Sequence, residues 1–261
     1  MKTTLGIALC SILASFAAAA QAQDTLRLGN EGNYPPFSIT SADGKLSGLE
    51  PDLAAAMCKR MGATCDIQAM EFSALLPAMT TGKLDGIVTQ LFPKPERLEV
   101  SEFTDPILEN PMAWAVPAGW DGSVTPEGLD GKTIGTIKGN WAIAPLSTFA
   151  PGVDIREYDN INLIILDLKA GRLDAGLAGG LNWITSLIDT EGGDQYRIEA
   201  TSGAMAEKVE AYSWAFQKGK TELRDTVNTT LGALFADCTY SEIRKQYFSQ
   251  ATSSREPASC L

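Results

Sequence analysis

The chain has 261 residues, 44% of them hydrophobic, with 32 acidic residues against 21 basic ones and no histidine. A net charge of −11 lacks the basic footprint that nucleic-acid binding needs. The missing histidine removes most metal sites and the commonest general base.

In chain order, residues 1–22 read as a signal peptide outside the fold. Lys2 is the short basic start, Leu5 to Ala20 is apolar, and Ala20-Gln21-Ala22 supplies small residues at alternate positions for cleavage after Ala22. Cleavage removes one base, leaving 32 acids and 20 bases, a net −12. No other segment is long and apolar enough to span a bilayer, so an exported, soluble mature chain is expected. About 240 residues allow one large domain or two of about 120.

Four cysteines survive cleavage, Cys58, Cys65, Cys238 and Cys260. An even count in an oxidising compartment suggests two bridges, although three pairings are possible. Cys58 and Cys65 would close a small loop across a helix end, and Cys260 is placed to pin the tail to the segment holding Cys238.

Short β-rich runs alternate with helical ones, the pattern of an α/β protein. "TLRLG" (25–29) predicts a strand, "EPDLAAAMCKRMG" (50–62) a helix ending at Gly62, and "TCDIQAM" (64–70) the next strand. "FSALLPAMTTG" predicts a helix and "KLDGIVTQ" a strand. The unit then returns: "PAMTTGKLDGIV" (77–88) aligns without gaps to "LDLKAGRLDAGL" (166–177), 89 residues later. In each copy glycine ends a helix, a base sits near its negative end, and Leu-Asp starts a strand. Two copies in α/β surroundings predict two similar lobes, with a ligand cleft beyond the carboxyl ends of their strands.

No catalytic motif stands out. "GLDGKT" (128–133) has Pro126 where a phosphate-binding loop needs its first glycine. What remains suits binding. "NEGNYPPF" (30–37) sets Glu31 and Tyr34 on a Pro-rich loop after the first strand. "TQLFPKPER" (89–97) carries Gln90, Leu91 and Phe92 and ends at Arg97, whose planar fork suits a carboxylate. The competing reading of Arg97 is a surface residue paired with Glu96 or Glu99. Tyr34 and Phe72, taken alone, read as core. "TIKGNWAIAP" (136–145) places Gly139, Asn140 and Trp141 before a short helix whose N–H groups suit an anion.

"GLEPDLAAAMCKRMG" (48–62), "MCKRMGATC", "EFSALLPAMTTGKLDGIV" and "DLKAGRLDAGL" together resemble the periplasmic amino-acid-binding proteins of ABC importers, of the lysine/arginine/ornithine and histidine type. Pro51 is the odd residue in the first segment. The resemblance covers the mature chain and implies a type II periplasmic binding protein fold, with two α/β lobes of mixed sheet flanked by helices and a two-strand hinge. Lobe one would span 24–109 and 210–261, and lobe two 113–207. It also implies a Cys58–Cys65 disulfide, which leaves Cys238 and Cys260 to pair. By resemblance, Tyr34 and Phe72 sandwich a ligand side chain, Glu31 meets a cationic group, and Arg97 holds an α-carboxylate with help from the Gly139–Trp141 loop.

Three positions depart from the pattern. Phe92 and Trp141 stand where hydroxyl residues assist the carboxylate, and Gly179 stands where an aspartate holds the α-ammonium. An unpaired buried ammonium costs on the order of 3–5 kcal/mol, so the ligand's amine is expected to be substituted, absent, or held by another residue. Opine-binding members resemble this chain in their "EG-x-Y" loop, here Glu31-Gly32-Asn33-Tyr34, and in a small residue at the aspartate position. An N-carboxyalkyl group would then take the room of the aspartate side chain. The competing reading of Gly179-Gly180 is a turn needing positive φ. The function expected is periplasmic capture of a small carboxylate-bearing, amino-acid-like or opine-like ligand by a monomer that delivers it to an inner-membrane permease, without metal or cofactor. The alternatives are a periplasmic dehydratase of the same fold or a ligand-sensing module.

Overall fold

The computed structural model describes residues 25–201, 211–248 and 255–261. The signal peptide expected over residues 1–22 lies outside them.

The first lobe opens with strand β1 (Leu26–Asn30), helix α1 (Leu49–Met61) and strand β2 (Cys65–Ala69). Helix α1 carries Glu50 and Asp52 in its first turn and Lys59 and Arg60 in its last, the order its dipole favours. Gly62 ends it in the left-handed region at φ 66°, and the N–H groups of Gly62 and Ala63 satisfy the carbonyls of Lys59 and Cys58. Helix α2 (Phe72–Thr80) leads to β3 (Gly86–Leu91), followed by β4 (Ser101–Phe103) and β5 (Leu108–Glu109).

The second lobe comprises β6 (Met112–Pro117), β7 (Thr133–Ile137), helix α3 (Ile143–Phe149), β8 (Asp154–Tyr158), helix α4 (Ile161–Lys169), β9 (Ala175–Gly179) and β10 (Tyr196–Ala200). The chain then re-enters the first sheet as β11 (Ala211–Gln217) and continues into helix α5 (Thr221–Ala236).

The duplication predicted from sequence is visible in topology. The first sheet runs β2-β1-β3-β11-β4, with β5 also on β11, and the second runs β8-β7-β9-β6-β10. In each, three parallel strands meet an antiparallel fourth. The repeated Leu-Asp has a structural reason. Asp85 accepts the Arg27 backbone N–H at 2.9 Å, and Asp174 accepts that of Thr133 at 2.8 Å. Each carboxylate thus accepts an N–H at the start of the neighbouring parallel strand, the second of β1 and the first of β7. Asp85 also binds the Arg27 guanidinium at 2.8 and 3.0 Å.

The first crossing between sheets is Glu109-Asn110-Pro111-Met112, joining β5 to β6. The ends of the second lie beside it, with Ala200 opposite Ala113 and Ala211 opposite Glu109. The second crossing strand expected from the sequence falls in residues 202–210, which lie outside the described residues.

Cys58 is bonded to Cys65 and Cys238 to Cys260, with Cα–Cα separations of 6.2 and 5.2 Å. The tail is held by more than its disulfide. Glu256 pairs with the buried Arg244 at 2.9 Å, and Lys245 donates to the Cys260 carbonyl at 2.8 Å. Replacing Cys260 with Ser is expected to lower stability by about 2–4 kcal/mol, the usual worth of such a bridge, while leaving the Cys58–Cys65 peptide intact on non-reducing mapping. Scanning calorimetry with peptide mapping checks both.

Candidate functional site

The loop between β1 and α1 is folded by its own polar groups. Asn30 is fully buried, donates to the Val88 carbonyl at 2.7 Å and accepts the Gly32 N–H at 3.1 Å. Gly32 also donates to Ser38 Oγ at 2.7 Å and accepts from Thr40 at 2.8 Å. Its φ of +77° and the nearness of Thr40 and Ala69 both favour glycine. These bonds fix Glu31 and Tyr34 on either side of it, at the carboxyl end of β1.

Glu31 and Tyr34 face a pocket between the carboxyl ends of the two sheets. Phe72, Gln90, Phe92, Arg97, Asn140, Trp141 and Gly179 also line it. Leu91 and Gly139 do not; they border an outer groove, with the Leu91 side chain packed into the core beside Leu75 and Met79. Asn110, Met112 and Ile137 complete the wall, and sequence reasoning missed all three. Asn110 and Met112 lie on the crossing segment, where no periodicity marks them. Ile137 ends a strand that reads as core.

Arg97 is 7% exposed, so the reading as a surface arginine is overturned. The short helix Pro95–Leu98 brings it inward, where it donates to the Phe92 carbonyl and, across the cleft, to the Gly139 carbonyl, both at 3.2 Å. Its guanidinium lies 5.7 Å from the Phe72 ring centroid. At the facing loop, Asn140 Oδ1 accepts the Ala142 N–H at 2.9 Å, so that donor is already engaged. The two departures from hydroxyl residues are neighbours. Phe92 and Trp141 meet edge to face at 6.1 Å between centroids, and Lys94 Nζ lies 3.7 Å over the Trp141 ring. An aromatic contact joins the lobes where two small polar side chains were expected.

Glu31 is 4% exposed, and its Oε1 has no hydrogen-bond partner. Burial first, then the Glu71 charge, pushes its pKa up to about 8. Without a cation beside it, this carboxyl is therefore favoured in its neutral form near neutral pH. A cation brought against it would restore the carboxylate.

Gly179 corrects two expectations. Its φ is −61°, and Gly180 is not among the positive-φ glycines, so no turn conformation requires them. Nor does Gly179 open room for a ligand group. A Cβ there would lie 2.3 Å from Asn110 Nδ2 and 2.8 Å from Asn182 Oδ1. The crossing strand has filled the space with amide. At Gly180 a Cβ would make only ordinary contacts at 3.5 Å. The Gly179 N–H donates to the Tyr34 hydroxyl at 2.9 Å, and Asn182 Nδ2 donates to the Pro35 carbonyl at 2.8 Å, two direct ties between the lobes.

The family model for bacterial extracellular solute-binding proteins, family 3, matches residues 26–250. The L-arginine-binding protein of Pseudomonas aeruginosa is 31% identical over 87% of this chain and 89% of its own length. The lysine/arginine/ornithine-binding periplasmic protein of Escherichia coli is 31% identical over 95% of this chain and 96% of its own. A solved structure of an ancestral arginine-binding protein bound to glutamine superposes with a TM-score of 0.78 at 30% identity, covering 87% of this chain and 98% of that one. The chain belongs to family 3 of the bacterial extracellular solute-binding proteins.

Gly179→Ala is expected to destabilise the protein by about 1–3 kcal/mol through overpacking against Asn110. Asn110→Ala in the same chain should recover part of the loss, because it removes the atoms that clash. Thermal unfolding of the two single variants and the double variant measures the coupling.

Proposed function

We propose that this family member captures an ω-cationic, carboxylate-bearing ligand in the periplasm and delivers it to an inner-membrane ABC permease, acting as a monomer. Residues 1–22 serve as the signal peptide that exports it. Residues 24–109 with 210–261 form lobe one, residues 113–207 form lobe two, and two crossing strands let the lobes close by hinge motion.

The observation that carries the reading is Glu31: a carboxyl 4% exposed, with one oxygen unpartnered, on the wall of the cavity that also holds Arg97. A buried carboxylate is tolerated when a cation pairs with it. A guanidinium or ammonium tail meets that need, while Arg97 takes the ligand's carboxylate in a charge-assisted contact. Tyr34 and Phe72 supply apolar surface for the aliphatic part between the two charges. The arginine- and lysine/arginine/ornithine-binding relatives support a cationic ligand. Their names as binding proteins favour capture over catalytic turnover.

Within that class we favour an opine-like ligand, an amino acid substituted on its α-nitrogen, because its second carboxylate lies beside the secondary ammonium and compensates the charge that no aspartate at Gly179 holds. Its extra group lies on the Gln90 and Trp141 side of the cavity. The Cβ space of Gly179 belongs to Asn110.

A thermal-shift screen of basic amino acids, opines, betaines and small carboxylates tests the class. A ligand at 100 times its Kd stabilises by about 2.7 kcal/mol, so true ligands are readily seen. Shifts are expected from ω-cationic carboxylates alone. Arg97→Ala should weaken the best of them at least about 30-fold, since truncating one side of a buried charge pair costs roughly 2–5 kcal/mol. Affinity retained in that variant removes the carboxylate assignment.

A further inference from the structure

The orientation of one buried amide determines what Gln90 offers the cleft. The Leu181 backbone N–H can only donate, and it points at Asn110 Oδ1 at 3.0 Å. That fixes the Asn110 amide, so its Nδ2 faces away from Leu181 and supplies two hydrogens. They go to Gln90 Oε1 at 2.7 Å and Asn182 Oδ1 at 2.8 Å. Asn182 is held the same way round by its own donation to the Pro35 carbonyl at 2.8 Å. Gln90 must therefore turn its oxygen to Asn110, which leaves Nε2 as the half of its amide without a protein partner. Gln90 is 6% exposed and lines the cavity, and its Nε2 has no partner. Trp141, also on the cavity wall, has a second buried N–H without one.

We infer that Gln90 is a specificity-determining residue. It selects ligands that present an oxygen acceptor, a hydroxyl, carbonyl or second carboxylate, where a plain amino acid presents its ammonium. This deepens the proposed function and rests on its reading of the cleft as a site for ω-cationic carboxylates. An ammonium set against Gln90 Nε2 brings donor to donor, and both groups stay unsatisfied in a site removed from water. An oxygen there takes the Gln90 N–H directly. Gly179 belongs to the same arrangement: a side chain at that position would displace Asn110, and with it the bond that orients Gln90.

The test uses three probes that share a guanidinium tail and a carboxylate. L-arginine carries an α-ammonium, argininic acid carries an α-hydroxyl in its place, and octopine carries a carboxyethyl group on the α-nitrogen. Calorimetry on the wild-type mature protein should find argininic acid or octopine bound at least tenfold more tightly than L-arginine. Gln90→Glu keeps the shape and the Asn110 bond but replaces the free donor with an acceptor. It should shift the preference toward L-arginine by tenfold or more, with an unchanged fold by circular dichroism. L-arginine bound as tightly as the other two by wild type, or an unmoved ratio in Gln90→Glu, overturns the inference and leaves the proposed class standing. If none of the three binds the folded wild-type protein, the proposed class itself fails and the inference falls with it.

Discussion

Asn110 lies on the first segment crossing between the lobes, and its amide bonds Leu181, Gln90 and Asn182 at once. That one side chain couples three parts of the molecule: the crossing segment, the end of β9 and the end of β3. It excludes any side chain at Gly179, because the two would occupy the same volume. It also fixes which half of the Gln90 amide is left without a protein partner. Buried polar networks of this kind tolerate little partial satisfaction, since a buried group left unpaired costs about 1–3 kcal/mol, more than the roughly 0.5–1.5 kcal/mol that a made bond contributes. The glycine is thus a packing requirement of the network.

The cavity is asymmetric in charge. Glu31 offers an unpartnered acceptor, Gln90 and Trp141 offer unpartnered donors, and Arg97 bridges the lobes to the Gly139 carbonyl. The direct ties across the cleft, from Gly179 to Tyr34 and from Asn182 to Pro35, hold the lobes together around that asymmetry. Phe92 and Trp141 close the same gap with apolar surface. Low local polarity strengthens each charged contact a ligand makes, and it raises the cost of every group left unmatched.

Much of this was legible in the sequence because it rests on local rules. The α1 helix ends at Gly62 as its glycine and basic last turn require. The repeated Gly-basic-Leu-Asp foretold the two parallel units, and the structure adds that each aspartate caps the neighbouring strand. Glu31, Tyr34, Phe92 and Arg97 come together because loops after parallel strands converge at one edge of a sheet. What was illegible depends on contacts distant in sequence. Asn110 and Gly179 are 69 positions apart, and no local pattern relates them. A glycine kept for its φ and one kept for a neighbour's side chain look alike in a string of letters. Leu91 was grouped with its loop, but complete burial of β3 turns it into the core.

The charge state of Glu31 carries the functional account, and a proton count measures it most directly. Its pKa is pushed up to about 8 by burial and the Glu71 charge, so binding a cation converts the neutral acid to carboxylate and releases the proton. Calorimetry at pH 7 in two buffers of different ionisation enthalpy should find protons released, at most one per ω-cationic ligand bound. The release should fade as pH rises past 8 and vanish in Glu31→Gln. Binding of such a ligand at pH 7 without proton release would contradict the account.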